Sequence, residues 1–167
     1  MIERTLVILK PDAVRRKLCG RIVSRFEDAG LDIVAAKFFA PSKELLNKHY
    51  SNSDEYIMSL GRKNLGGSAD DAAAMKQGRV VYARLMDYIS GDVMAMVLEG
   101  NEAVKIVRKL CGPTEPFSAD PGTIRGQFAI DSYDLSNKEE RACRNLMHAS
   151  GTADEAKSEI ALWFPGL

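Results

Sequence analysis

Cysteine is scarce: the 167 residues hold three, Cys19, Cys111 and Cys143. They are scattered and show no C-x-x-C spacing, which excludes a disulfide framework and a cysteine zinc site. Net charge is absent too, since 23 Lys+Arg cancel 23 Asp+Glu. A protein that coats nucleic acid through charge alone carries an excess of positive residues. Long apolar runs are missing. The longest, Val93 to Leu98, falls far below the ~20 residues of a spanning helix. Near the start, Leu6 to Leu9 is too short for a secretory leader, and Glu3 sits inside the stretch where one would lie. These absences give the expectation of a reducing, cytoplasmic setting with no membrane partner. No P-loop, G-x-G-x-x-G or zinc-deaminase pattern occurs.

What remains is 46% hydrophobic and 28% charged, an ordinary composition for a chain that buries one core. Arg4 to Lys10 is a short apolar run stopped by Pro11, and reads as a buried strand. Ile22, Val23, Phe26 and Ala29 share a helix face closed by Gly30. Leu31 to Ala40 is a second strand, and Ser42 caps a helix running to about Tyr50. Ser51 to Gly78 lacks an apolar stripe. It is expected to form one or two surface helices, with Ser68 as an N-cap. Helical spacing resumes over Val80 to Ile89. Val93 to Glu99 is a third strand, and a helix with Ala103, Val104, Val107 and Leu110 on one side ends at Gly112. Gly112 to Gly126 reads as a functional loop, rich in Pro and Gly. Ser132 to Arg144 is charged and expected to be exposed. Asn145 to Ala149 is a short fourth strand, and Thr152-x-x-Glu155 is a capping box before a last helix. Two β-α-β units and four strands predict a ferredoxin-like α+β sandwich, residues 1–167 forming one domain.

The chain has two histidines. One of them, His148, falls between a predicted strand and a helix N-terminus. Upstream, Pro121-Gly-Thr-Ile-Arg-Gly126 brackets Arg125 with glycines, which let backbone approach an anion while arginine grips phosphate. Lys10 leaves the first strand at its C-terminal end. Arg108 lies on a helix, where most arginines are solvated. Tyr50 follows His49, and Glu159 sits on the shoulder of the last helix. A neutral imidazole among cations that hold phosphate is what transfer through a phosphohistidine requires.

With these motifs in place, the sequence resembles the nucleoside diphosphate kinase family. The resemblance is carried by Glu3-Arg-Thr-Leu-Val-Ile-Leu-Lys-Pro-Asp-Ala-Val14, His49-Tyr50, Val93 to Gly100, Pro121 to Gly126, Asn145-x-x-His148-x-Ser150 and Glu159 to Phe164. It implies a four-stranded antiparallel sheet and ping-pong transfer of the terminal phosphate of a nucleoside triphosphate to a nucleoside diphosphate. Mg2+ would be bound through the nucleotide phosphates, with no metal ligands from the chain. By this resemblance His148 is the nucleophile, and Glu159 with Ser150 orients it. Lys10 and Asn145 meet the sugar, and Lys10 also meets phosphate. Tyr50 lies near the transferred group, and Arg108, Thr114 and Arg125 clamp phosphate. Leu85 touches the base. The family's stacking phenylalanine falls at Val81 or Tyr82, and Tyr82 is the residue carried forward as a nucleotide contact. Gly151 stands where the family usually has aspartate. Insertions lie near 52–79 and 132–144; the first, beside the nucleotide-binding helix pair, reads either as a lid or oligomer contact or as a tolerated surface loop. The chain is expected to be a homo-oligomer, a dimer or higher, without a specific nucleic-acid partner. The alternative is a non-catalytic nucleotide-binding module on the same fold. RNA-binding sheets of this topology display aromatics on their central strands, where this sequence is aliphatic.

Overall fold

The two most apolar runs become the two central strands. A computed structural model describes residues 1–167. Strand β1 (Ile2–Leu9) lies between β3 (Val93–Asn101) and the short β4 (Met147–Ala149), while β2 (Asp32–Phe39) pairs with β3 at the far edge. The order is β2-β3-β1-β4, and every paired neighbour is antiparallel.

Because successive strand residues face opposite sides, β1 feeds two cores. Val7 and Leu9 join Met96 and Leu98 under α2 (Cys19–Glu27) and α6 (Ala103–Cys111), where Ile22, Phe26 and Val107 are buried. Leu6 and Ile8 join Ala95 and Val97 on the other face, covered by Leu46 of α3 (Lys43–His49) and by Ile160 and Trp163 of α9 (Ala153–Trp163). Central strands buried on both sides must be apolar at consecutive positions, which is why they read as continuous runs. The edge strand β2 instead leaves Ile33 and Phe38 exposed.

Local signals set most boundaries. Ser42 and Thr152 cap α3 and α9 as expected, accepting from the Leu45 and Glu155 amides at 3.2 and 3.1 Å. The reciprocal bond of the capping box shifts by one residue: the Glu155 carboxylate accepts from Gly151 at 2.7 Å. Pro11 does more than stop a strand. It opens the one-turn helix α1 (Pro11–Arg15), a position where proline lacks only an amide that would go unpaired.

The segment after Tyr50 is helical, as expected, but its second helix starts at another cap and runs further. It folds as a helical hairpin, α4 (Asp54–Asn64) and α5 (Asp71–Ile89), so Val80 to Ile89 is the second half of one long helix. Asp70, not Ser68, caps α5, accepting from Ala73 at 2.8 Å. The two helices meet backbone to backbone, so no apolar stripe is needed. A Cβ on Gly61 would stand 1.8 Å from the Ala74 carbonyl oxygen, and one on Gly78 would stand 2.0 Å from that of Ile57. Gly61→Ala should therefore push the hairpin apart. An overpacking cost of ~1–3 kcal/mol is expected, read as a lowered midpoint in chemical denaturation; an unchanged midpoint would show that the hairpin yields freely.

Past α6, a 3₁₀ turn (Pro116–Ser118) and α7 (Ile124–Phe128) occupy the Pro/Gly-rich region, with Thr123 capping α7 at 3.0 Å. The second insertion forms α8 (Tyr133–Lys138) and is less exposed than its charge suggests. Asp131 is buried and takes both Arg141 guanidinium nitrogens, at 2.6 and 3.0 Å, with the Arg144 amide at 2.6 Å. Burial alone would raise the Asp131 carboxyl. These bonds outweigh it and hold the group below its ordinary range.

Candidate active site

Strand β4 is shorter than the sequence suggests because Leu146 has a positive φ of 70°. A leucine there is strained, and its surroundings enforce the strain. The Asp12 carboxylate accepts from the Leu146 amide at 3.1 Å, and the Lys10 amide donates to its carbonyl at 2.8 Å. The bend turns Asn145 and His148 toward one cavity of about 370 Å3 at the end of β1 and β4.

His148 projects from β4 into this cavity and is still partly exposed. Its Nε2 lies 2.8 Å from Glu159 Oε1 on α9. Glu159 is itself held by Ser150, whose hydroxyl donates to Oε2 at 2.6 Å. Neither Glu159 nor Ser150 lines the cavity; both are buried behind the imidazole. Burial pushes the Glu159 carboxyl up, but bonds from His148 and Ser150 hold it below its ordinary value. An ionised carboxylate accepts a hydrogen bond from Nε2–H, which leaves the lone pair of the neutral ring on Nδ1.

His49 forms the wall behind, a layer that the sequence does not reveal. Its ring meets His148 edge to face, centroids 4.6 Å apart. Trp163 Nε1 donates to His49 Nδ1 at 3.1 Å. Burial and the neighbouring His148 drive its pKa down to about 3, so it stays neutral. The 3.5 Å approach of His49 Nδ1 to Glu159 is therefore not an ion pair. His49, His148 and Glu159 lie close enough to bracket a metal ion, but each facing atom already has a hydrogen-bond partner. Tyr50 lines the cavity with a buried, unpartnered hydroxyl, and burial keeps that phenol protonated.

Lys10, Asn145, Arg125, Arg108 and Thr114 converge on the same cavity. Lys10 Nζ donates to Asn145 Oδ1 at 2.8 Å, and Asn145 Nδ2 donates to the Thr114 carbonyl at 3.0 Å. Burial, aided by the Arg125 charge, lowers the Lys10 pKa to about 8. A bound polyphosphate would favour the ammonium and raise that value again. Nucleotide binding at pH values near and above 8 should then take up a proton at Lys10, and the uptake should fade toward roughly pH 7. Titration calorimetry in buffers of different ionisation enthalpy measures it. No buffer dependence at the higher pH would show that Lys10 is already fully charged in the free protein.

Arg125 differs from a free phosphate clamp. Its Nε donates to the Asn145 carbonyl at 3.0 Å, Nη1 to Gly112 and Pro113 at 2.7 and 3.2 Å, and Nη2 to Met147 at 2.7 Å. Of five N–H groups, one is left for a ligand. Arg125 lends charge and ties the 112–114 loop to the strand that carries His148. Arg108, exposed on α6, has no protein partner and is the freer guanidinium.

On α5, Val81 and Leu85 line the cavity and Tyr82 does not. Tyr82 turns to the Tyr50 carbonyl, to which its hydroxyl donates at 3.3 Å, and packs on the second core. Of the two positions it is Val81 that lines the cavity, because one residue of helix rotates a side chain by about 100°. The insertions are not bystanders either. Tyr56, Leu60, Lys63 and Asn64 from the first, and Tyr133, Ser136, Asn137 and Arg141 from the second, complete the cavity wall. Glu155 is the only carboxylate on the lining, and its Oε2 accepts from the Gly151 amide at 2.7 Å.

A family model described as nucleoside diphosphate kinase matches residues 3–58 and 68–167. A nucleoside diphosphate kinase of Pyrobaculum aerophilum is 48% identical over 98% of this chain and 95% of its own length. One from Borreliella burgdorferi is 39% identical over 98% of this chain and 88% of its own. A crystal structure of an NDP kinase from Pyrobaculum aerophilum superposes with a TM-score of 0.91 at 45% identity, covering 99% of this chain and 97% of that one. A transition-state mimic of the Borrelia burgdorferi enzyme, with bound vanadate and ADP, superposes at 0.82 with 38% identity, covering 99% and 88%.

Proposed function

The chain belongs to the nucleoside diphosphate kinase family, and from that premise we propose that His148 is the group through which it moves the terminal phosphate of a nucleoside triphosphate to a nucleoside diphosphate. The observation that carries this reading is the Ser150–Glu159–His148 chain, which occupies Nε2 and leaves Nδ1 without a protein partner on a residue that lines a cation-lined cavity.

In the first half-reaction the Nδ1 lone pair attacks the terminal phosphorus. The bond from that phosphorus to its bridging oxygen breaks, and the nucleoside diphosphate leaves with the electron pair. In the second, a terminal oxygen of another diphosphate attacks the phosphohistidine, the P–N bond breaks and the imidazole is restored. Glu159 holds Nε2–H throughout, so the ring keeps one tautomer and its developing positive charge is met. Such transfers need positioning and charge neutralisation more than proton movement. Lys10, Arg108 and the remaining Arg125 donor supply the charge, and Tyr50 borders the reacting group. Asn145, held between Lys10 and Thr114, stands at the sugar, and Val81 with Leu85 meets the base face.

Mg2+ is assigned to the substrate. The lining offers one carboxylate among several cations, which suits a metal carried on nucleotide phosphates and does not make a protein cage. We assign the whole chain to one catalytic domain acting as a homo-oligomer. The exposed Ile33 and Phe38 on edge strand β2 favour pairing with a second copy. No helix is long and apolar enough to cross a membrane, in keeping with a cytoplasmic setting. The non-catalytic alternative would leave the oriented imidazole without a task.

The test is transfer of radiolabel from ATP to GDP with and without Mg2+. Labelled GTP is expected in its presence only; a protein that binds both nucleotides and transfers nothing would return the non-catalytic reading.

A further inference from the structure

We propose that Asn64 forms a base-edge subsite at the outer end of the nucleotide cavity, held in place by an amide latch that joins the two insertions. The proposal rests on the phosphotransferase reading and extends it from the phosphate end of the cavity to the base end.

Residues 59–67, the last turns of α4 among them, fall outside the stretches matched by the family model. Tyr56, Leu60 and Asn64 follow at i, i+4 and i+8, and all three line the cavity. At 1.5 Å per residue, Asn64 stands ~12 Å along the helix from Tyr56. Tyr56 is the α4 residue on the Tyr50 side: both line the cavity, and Tyr56 packs against the core to which Tyr50 belongs. The helix thus carries Asn64 away from the reacting end by about the reach of a nucleoside diphosphate.

At that point the two insertions are tied together. Asn64 Oδ1 accepts from Gln77 Nε2 at 2.7 Å and from Asn137 Nδ2 at 2.8 Å, and Gln77 Nε2 also lies 3.2 Å from Asn137 Oδ1. Bonds between two side chains are the minority kind in proteins, and three converge here on a cavity rim. The latch uses both lone pairs of the Asn64 oxygen. Its Nδ2 keeps two hydrogens with no protein partner, on a residue that faces the cavity.

Val81 and Leu85 offer apolar surface to the faces of a base. The base edge must find polar partners or water, and Nδ2 of Asn64 is a donor. It satisfies O6 of guanine or O4 of uracil and not the amine that adenine or cytosine carries at the corresponding edge position. The enzyme should favour oxygen-edged acceptors modestly, without losing the others.

The test is discharge of enzyme phosphorylated by ATP, followed by quench after mixing with GDP or ADP. Asn64→Asp retains the oxygen that receives both latch bonds and replaces the free donor with an acceptor. The ratio of kcat/KM for GDP to that for ADP should fall by roughly three- to tenfold, the worth of one hydrogen bond, mainly through KM. Asn64→Ala should raise KM for GDP with a smaller change for ADP. If phosphoenzyme forms and both variants keep the wild-type ratio, the subsite is refuted while the phosphotransfer reading stands. If wild-type protein forms no phosphoenzyme, that reading falls and the subsite with it.

Discussion

His148→Ala should abolish phosphate transfer while leaving the fold in place. The residue is one of three in the short β4 and contributes nothing to either apolar core, so its truncation removes chemistry before stability. Without Nδ1 there is no covalent intermediate. The remaining cations still hold either nucleotide, but no group carries the phosphate from one to the next. A loss of at least ~10⁴-fold in turnover is expected, as for nucleophiles in other covalent enzymes. Circular dichroism and the melting midpoint should stay near wild type. Turnover within tenfold of wild type in the folded variant would remove the nucleophile assignment.

Glu159→Ala should give the second largest loss, about 10²–10³-fold in phosphoenzyme formation, the range of a general positioning and charge-stabilising group. Three losses coincide. Nε2 of His148 loses its acceptor, so the ring is free to adopt the tautomer with hydrogen on Nδ1. Ser150 loses its partner at 2.6 Å. The imidazole that gains charge on phosphorylation faces a neutral His49 instead of a carboxylate. The readout that separates this from plain destabilisation is the pH profile. The Glu159 carboxyl lies below its ordinary value, so its contribution is present through neutral pH and is lost only as pH falls into the acid range. Wild type should lose activity there and Glu159→Ala should show a flatter acid limb. An unchanged profile would mean that Glu159 acts only as packing.

The sequence carries the site better than it carries the periphery, and physical reasons separate the two. β1 and β3 are legible because strands buried on both faces must be continuously apolar. Ser42 and Thr152 are legible because capping needs a short side-chain oxygen. His148 and Lys10 are legible as residue types whose chemistry suits phosphate transfer, while Glu159 and Asn145 are legible through the family motifs that they complete. The α4–α5 hairpin is not, because its contact is glycine against carbonyl and leaves no apolar pattern. Tyr82 and Val81 are neighbours whose roles depend on helix phase. Only the packed helix shows that Tyr82 turns toward Tyr50. Arg125 looks like a free clamp until Asn145, Gly112, Pro113 and Met147 are seen to take its donors. His49 is visible as a histidine, but its place behind His148 arises only when α3 and β4 meet across the sheet.

Mapping the phosphate on the phosphorylated protein tests the central claim most directly. After incubation with ATP, acid-labile and alkali-stable phosphate should be found on His148 alone, and nuclear magnetic resonance should place it on Nδ1 with Nε2 still bearing its hydrogen. Phosphate on Nε2, or an acid-stable adduct on a serine or threonine, would contradict the account.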